Sequence, residues 1–115
     1  MAKTLRSNST LLGINLYQNN VGPEGACSLA AALCENKTLE FLNLWRNGIG
    51  YKGCQAFARM LSTNRTMKTL YLQTNGITDQ GGADVADALT VNTSLVRLHI
   101  GGNELSEAVV ASLRS

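Results

Sequence analysis

The chain has 115 residues, enough for one domain, and its 44% hydrophobic content and mean hydropathy of −0.02 exclude a disordered tail. No apolar run approaches the roughly 18 residues of a membrane-spanning helix, and ten Lys and Arg against eight Asp and Glu leave a charge of +2, too small and scattered to predict nucleic acid or a membrane as partner. Cys27, Cys34 and Cys54 are odd in number and form no Cys-x-x-Cys pair, so they read as reduced thiols; with no secretory segment at the N-terminus, the expected address is cytoplasmic.

In chain order, residues 1–7 come first and align with the second half of a later helix, 30–35, so they read as a partial repeat. From residue 8 the same residue types return every 28 positions, giving full copies at 8–35, 36–63 and 64–91 and a truncated one at 92–115. Each copy opens on an asparagine (Asn8, Asn36, Asn64, Asn92), followed two places on by Thr10, Thr38, Thr66 or Ser94. The apolar column Leu11, Leu39, Met67, Leu95 leads into a strand whose members three and five places on, Leu42 and Leu44 in the second copy, have the two-residue spacing of a single buried face. A second asparagine column, Asn19, Asn47, Asn75 and Asn103, precedes glycine-rich turns. A helix follows, in which Cys54, Phe57, Ala58 and Leu61 fall at the spacing of an amphipathic stripe. One strand and one helix in 28 residues cannot bury their apolar sides alone, so copies must stack strand on strand and helix on helix, as an open curved solenoid.

The pattern Leu11-x-x-Ile14-x-Leu16-x-x-Asn19-x-Val21, returning through Leu95-x-x-Leu98-x-Ile100-x-x-Asn103-x-Leu105, resembles the leucine-rich repeat over essentially the whole chain. The 28-residue length and the Leu- and Ala-rich helix are most similar to the ribonuclease-inhibitor-like subtype, found also in NOD-like receptors and Ran GTPase-activating proteins. The resemblance implies an α/β horseshoe with a parallel sheet on the concave side, helices on the convex side, and protein binding as its occupation.

Several motifs that look like chemistry dissolve into the repeat. Gly48-Ile-Gly50-Tyr-Lys-Gly53 fits a dinucleotide-binding pattern, but it has repeat counterparts and no acidic residue about 20 positions on, so its glycines are read as serving turn geometry. The four Asn-x-Thr/Ser matches at Asn8, Asn36, Asn64 and Asn92 are read as left-handed helix ends rather than glycosylation sites. The column Asn19, Asn47, Asn75, Asn103 is read as structural, bonding the backbone of its own and the adjacent turn. A lone histidine and no catalytic triad, carboxylate pair or phosphate loop predict a non-enzymatic protein with no cofactor and no metal. On the convex side, Arg59 and Asp87 occupy equivalent positions that would allow an exposed, weak pair, and the helices are read as a solvated back.

If Ile14 and Leu16 and their counterparts face the core, the residues between them face out. The outward columns are Gly13, Phe41, Thr69, Arg97; Asn15, Asn43, Tyr71, His99; and Tyr17, Trp45, Gln73, Gly101, bordered by Gln18, Arg46, Thr74, Gly102. Four of the six aromatic residues fall here, beside arginine, as in protein-binding hot spots. The candidate partner-binding residues are therefore Tyr17, Phe41, Asn43, Trp45, Arg46, Tyr71, Gln73, Arg97 and His99.

The sequence predicts a non-enzymatic protein-interaction module binding through this concave face. The alternatives are a GTPase-activating domain similar to the Ran regulator, with Arg46 as the candidate side chain, and a self-associating solenoid unit. Because residues 1–7 and 113–115 fall inside a repeat without capping sequences, a segment of a longer array or end-to-end self-association through uncapped repeats is also expected.

Overall fold

A computed structural model describes residues 2–114; Met1 and Ser115, which the repeat phase assigns to helices, lie outside the described residues. Its elements alternate as the repeat requires: α1 (Ala2–Ser7), β1 (Gly13–Asn15), α2 (Gly22–Glu35), β2 (Phe41–Asn43), α3 (Gly50–Thr63), β3 (Thr69–Tyr71), α4 (Asp79–Leu89), β4 (Arg97–His99) and α5 (Glu107–Arg114). The four strands form one parallel sheet in sequence order. Pairing is in register with the repeat, Leu42 lying opposite Ile14 on one side and Leu70 on the other.

Each strand has only three ladder residues, too few to stand alone, but the backbone ladder continues past it. Leu16 and Gln18 donate to the carbonyls of Asn43 and Trp45, and Leu44 and Arg46 donate to those of Tyr71 and Gln73. Between sheet and helices lies the core. Leu39, Leu42, Leu44, Ile49, Phe57, Met60, Leu61, Met67, Leu70 and Leu72 are fully buried. Burial fades outward along the stack: Ile14, Leu16, Leu98 and Ile100 are half-buried, and Leu11, expected in the core column, is 41% exposed because β1 is an edge strand.

Two expectations about local geometry are corrected. Gly53 and its counterparts Gly25 and Gly81 do not make turns; they lie within the first turn or so of their helices, which begin up to one turn earlier than the apolar stripe. A Cβ on Gly53 would stand 2.9 Å from that of Ala26 on the neighbouring helix, and one on Gly81 would stand 2.9 Å from the Cβ of Cys54 and 3.2 Å from the Tyr51 backbone. These glycines set how closely successive helices approach.

The second correction concerns the asparagine that opens each repeat. Asn36 and Asn64 are extended, with φ of −77° and −75°, not left-handed. Their side chains do the work instead. Oδ1 of Asn64 accepts from the N–H groups of Thr66 and Met67, while Nδ2 donates to the carbonyls of Leu33, near the end of the first copy, and Asn36, at the start of the second. Asn36 and Asn92 repeat the arrangement. An amide whose nitrogen is buried and doubly engaged serves as a structural tie between copies.

Candidate protein-binding face

The asparagine column on the other rim of the sheet also joins copies. Asn47 Oδ1 accepts from the backbones of Asn19 and Val21, and its Nδ2 donates to Leu16 and Trp45 carbonyls. Asn75 and Asn103 act alike one and two repeats on, while Asn19, in the first copy, bonds only its own turn at Tyr17. The turn these side chains hold is left-handed at a fixed place. Gln18, Arg46 and Thr74 have φ of 54°, 58° and 53°, and Gly102 occupies the same position at 69°.

This frame aims the outward columns. Strand register places Gly13, Phe41, Thr69 and Arg97 in one row and Asn15, Asn43, Tyr71 and His99 in the next. The rings gather into two groups. Tyr17 and Trp45 stand with centroids 5.3 Å apart and planes tilted by 57°. Phe41 meets Tyr71 edge to face at 5.4 Å, and Tyr71 in turn stacks on His99 at 4.5 Å with planes 12° apart. Such contacts fix ring orientation beyond what exposed aromatics adopt alone.

The polar members differ in what they can offer. Trp45 Nε1 donates to Thr74 Oγ1 at 3.3 Å, so Thr74, absent from the candidate residues, positions the largest ring on the face. Its membership of the border column was legible; its hydrogen bond depends on the left-handed backbone at 74, which no composition signal announces. Asn43 is buried, and its Oδ1 accepts from the N–H of Trp45, so its amide serves the turn. Gln73 Nε2 lies 3.5 Å from His99 Nδ1, while Gln73 Oε1 is buried without a partner. Turning the amide over would set Oε1 against that ring nitrogen as acceptor for an Nδ1–H. Arg46 and Arg97 are exposed and stand at opposite ends of the columns, one past β2 and the other at the start of β4.

On the helical side Arg59 and Asp87 do not pair, in keeping with a solvated back. Both residues line an open groove of about 440 Å³ between α3 and α4, and an exposed pair gains too little to hold two side chains together. The ion pair found among the described residues is Arg6–Glu35, at 2.9 Å, tying α1 to the end of α2. Cys54 is buried at the α3–α4 contact; burial, with the carboxylate of Asp84 adding to it, pushes the thiol up to about 12. No described helix is long and apolar enough to cross a membrane, and no described group of three His, Cys, Asp or Glu is placed to hold a metal.

Residues 35–58 and 63–86 match a family model described as leucine rich repeat. No curated protein sequence matches the chain. Among solved structures, the actin-binding site 2 of leiomodin-1 superposes with a TM-score of 0.90 at 20% identity, covering 97% of this chain and 67% of that one. The tropomodulin C-terminal domain from Caenorhabditis elegans superposes with a TM-score of 0.66 at 18% identity, covering 98% of this chain and 86% of that one. At these identities the likeness is one of fold. With the repeat match and the alternating parallel architecture, the fold is a leucine-rich repeat solenoid.

Proposed function

We propose that this leucine-rich repeat solenoid is a non-enzymatic module that binds a protein on its concave face. One observation carries the reading. A chain with six aromatic residues sets four of them, Tyr17, Phe41, Trp45 and Tyr71, on the outward side of its sheet, locked into two ring groups beside Arg46, Arg97, Gln73 and His99. Rigid aromatic anchors next to arginine concentrate binding energy, because they bury much area while losing little side-chain freedom. The 28-residue period and the helical convex layer support the ribonuclease-inhibitor-like subtype, in a single domain with full repeats at 8–35, 36–63 and 64–91. Free thiols at Cys27, Cys34 and Cys54 support a cytoplasmic address, and no cofactor is assigned.

Trp45→Ala tests the site. It removes the ring that packs on Tyr17 and should cost about 2 kcal/mol or more in affinity for a concave-face partner. Its melting temperature should stay near the parent's, because Trp45 lies outside the core. Proteins captured by the parent and lost by the variant identify the partner. Actin, which the leiomodin-1 domain is named for binding, is a first protein to measure by co-sedimentation. Partners held equally by parent and variant would place the binding surface elsewhere.

A further inference from the structure

If the concave face is the binding surface, its charge specifies the chemistry of what it binds. The outward columns and their border hold Arg46 and Arg97 and no carboxylate; the chain's acids are Glu24, Glu35, Glu40, Asp79, Asp84, Asp87, Glu104 and Glu107. Most of these stand on or beside helices; Glu40, one residue before β2, is exposed and shares a flanking column at the entry to the strands with Leu12, Lys68 and Val96. Neither arginine has an ion pair within the described residues. With Lys68 offsetting Glu40 in that flanking column, two guanidinium groups on an aromatic surface are matched by acidic groups from outside.

At the place of Arg46 the turn is left-handed in every copy, held by Gln18, Arg46, Thr74 and Gly102 in turn, so glycine serves there as well as arginine. Position sets the spacing of the two charges. Arg46 and Arg97 lie two strands and about five residues of strand apart, roughly 20 Å on the diagonal, with Tyr71 on the strand between them. An extended polypeptide covers that span in about six residues.

We propose that the concave face takes an acidic, extended protein segment, its carboxylates about six residues apart on Arg46 and Arg97 and an apolar or aromatic side chain between them on the Phe41–Tyr71–His99 rings. Guanidinium and carboxylate form paired, charge-assisted hydrogen bonds that fix the direction of the segment, and the rings bury its anchor. A single-stranded nucleic acid could also stack on rings beside arginine. Two arginines, with Lys68 in the flanking column beside Glu40, neutralise too few phosphates to favour it.

The test selects displayed random 12-residue peptides on the full chain, then measures the winners as soluble peptides by fluorescence anisotropy. Winners should carry two Asp or Glu about five to seven positions apart around an aromatic or aliphatic residue. Each should weaken about tenfold on Arg46→Gly, on Arg97→Gln, or on Glu→Gln in the peptide, and weaken as salt rises. Arg46→Gly relieves the left-handed strain, so its melting temperature should equal or exceed the parent's, which separates lost binding from lost fold. Winners that require Trp45 yet lack the acidic pair, or ignore both arginine variants, would overturn the acidic ligand and leave the concave face standing. Winners indifferent to Trp45→Ala, or no winners, would overturn both readings. Tighter binding of an oligothymidylate that competes with the peptides would assign the face to nucleic acid and overturn the proposal.

Discussion

Asn47 uses both amide hydrogens and both lone pairs of its side chain, three of the four bonds crossing the seam to the first repeat and one returning to its own turn at Trp45. No other side chain has that donor and acceptor set at that length, which is why the column was legible from residue type alone. Asn47→Ala removes the partner of the Asn19 and Val21 N–H groups and of the Leu16 carbonyl and should destabilise by about 1 to 3 kcal/mol, read as a lower urea midpoint at unchanged slope. The equally engaged Asn64 was legible as structural but not as a tie: its reach to Leu33 and Asn36 depends on an extended backbone after the helix, where a left-handed end was expected. Cys54 gives a pH dependence with a definite sign. Its folded thiol holds its proton to about 12, against 9.0 for a solvated thiol, so the contribution is complete below pH 9. Above that the unfolded chain loses the proton first, and stability should fall by about 1.4 kcal/mol per pH unit until pH 12. Thermal melts at pH 8 and pH 10.5 should show the parent losing more than Cys54→Ala, a substitution that keeps a small side chain in the column of Ala26 and Gly82.

At the scale of the element, the strand and helix periodicities located every strand and helix, but not where the helices begin. The stripe starting at Cys54 marks the buried face of α3, and the chain enters the helix at Gly50 because a φ of +64° there redirects it a turn earlier. Gly53 and Gly81 recur at the repeat period like turn glycines, and the distinction between turn and close packing exists only once two helices lie side by side. Gly81→Ala should therefore cost about 1 to 3 kcal/mol even though alanine favours helices, since the added methyl meets the Tyr51 backbone, which cannot swing away. A stability equal to or above the parent's in chemical denaturation would return this glycine to a turn role.

Across the whole molecule, among helices each packs only on those before and after it and among strands each only on the adjacent strands, within a body of 38 × 29 × 17 Å, so protection should follow position in the stack. The second and third repeats, covered on both sides, contain the fully buried Leu42, Leu44, Phe57, Leu70 and Leu72, whereas Ile14 and Leu98 are half-buried. Amide hydrogen exchange should be slowest at β2, β3 and α3 and fastest at α1 and α5. Uniform protection from end to end would show that the stack opens as one unit.

The sequence by itself determined the period, the alternation of strand and helix, the core columns, the concave columns and the structural asparagines, because each follows from spacing and residue chemistry that repeat four times. Only the tertiary structure decided that Phe41, Tyr71 and His99 form one group across two columns, that Thr74 holds Trp45, that Asn43 turns its amide to the backbone, and that Arg59 and Asp87 stay apart. These depend on ring tilt, backbone handedness and the distance between neighbouring copies. Periodicity assigns a residue to a face; only packing fixes what its side chain meets there.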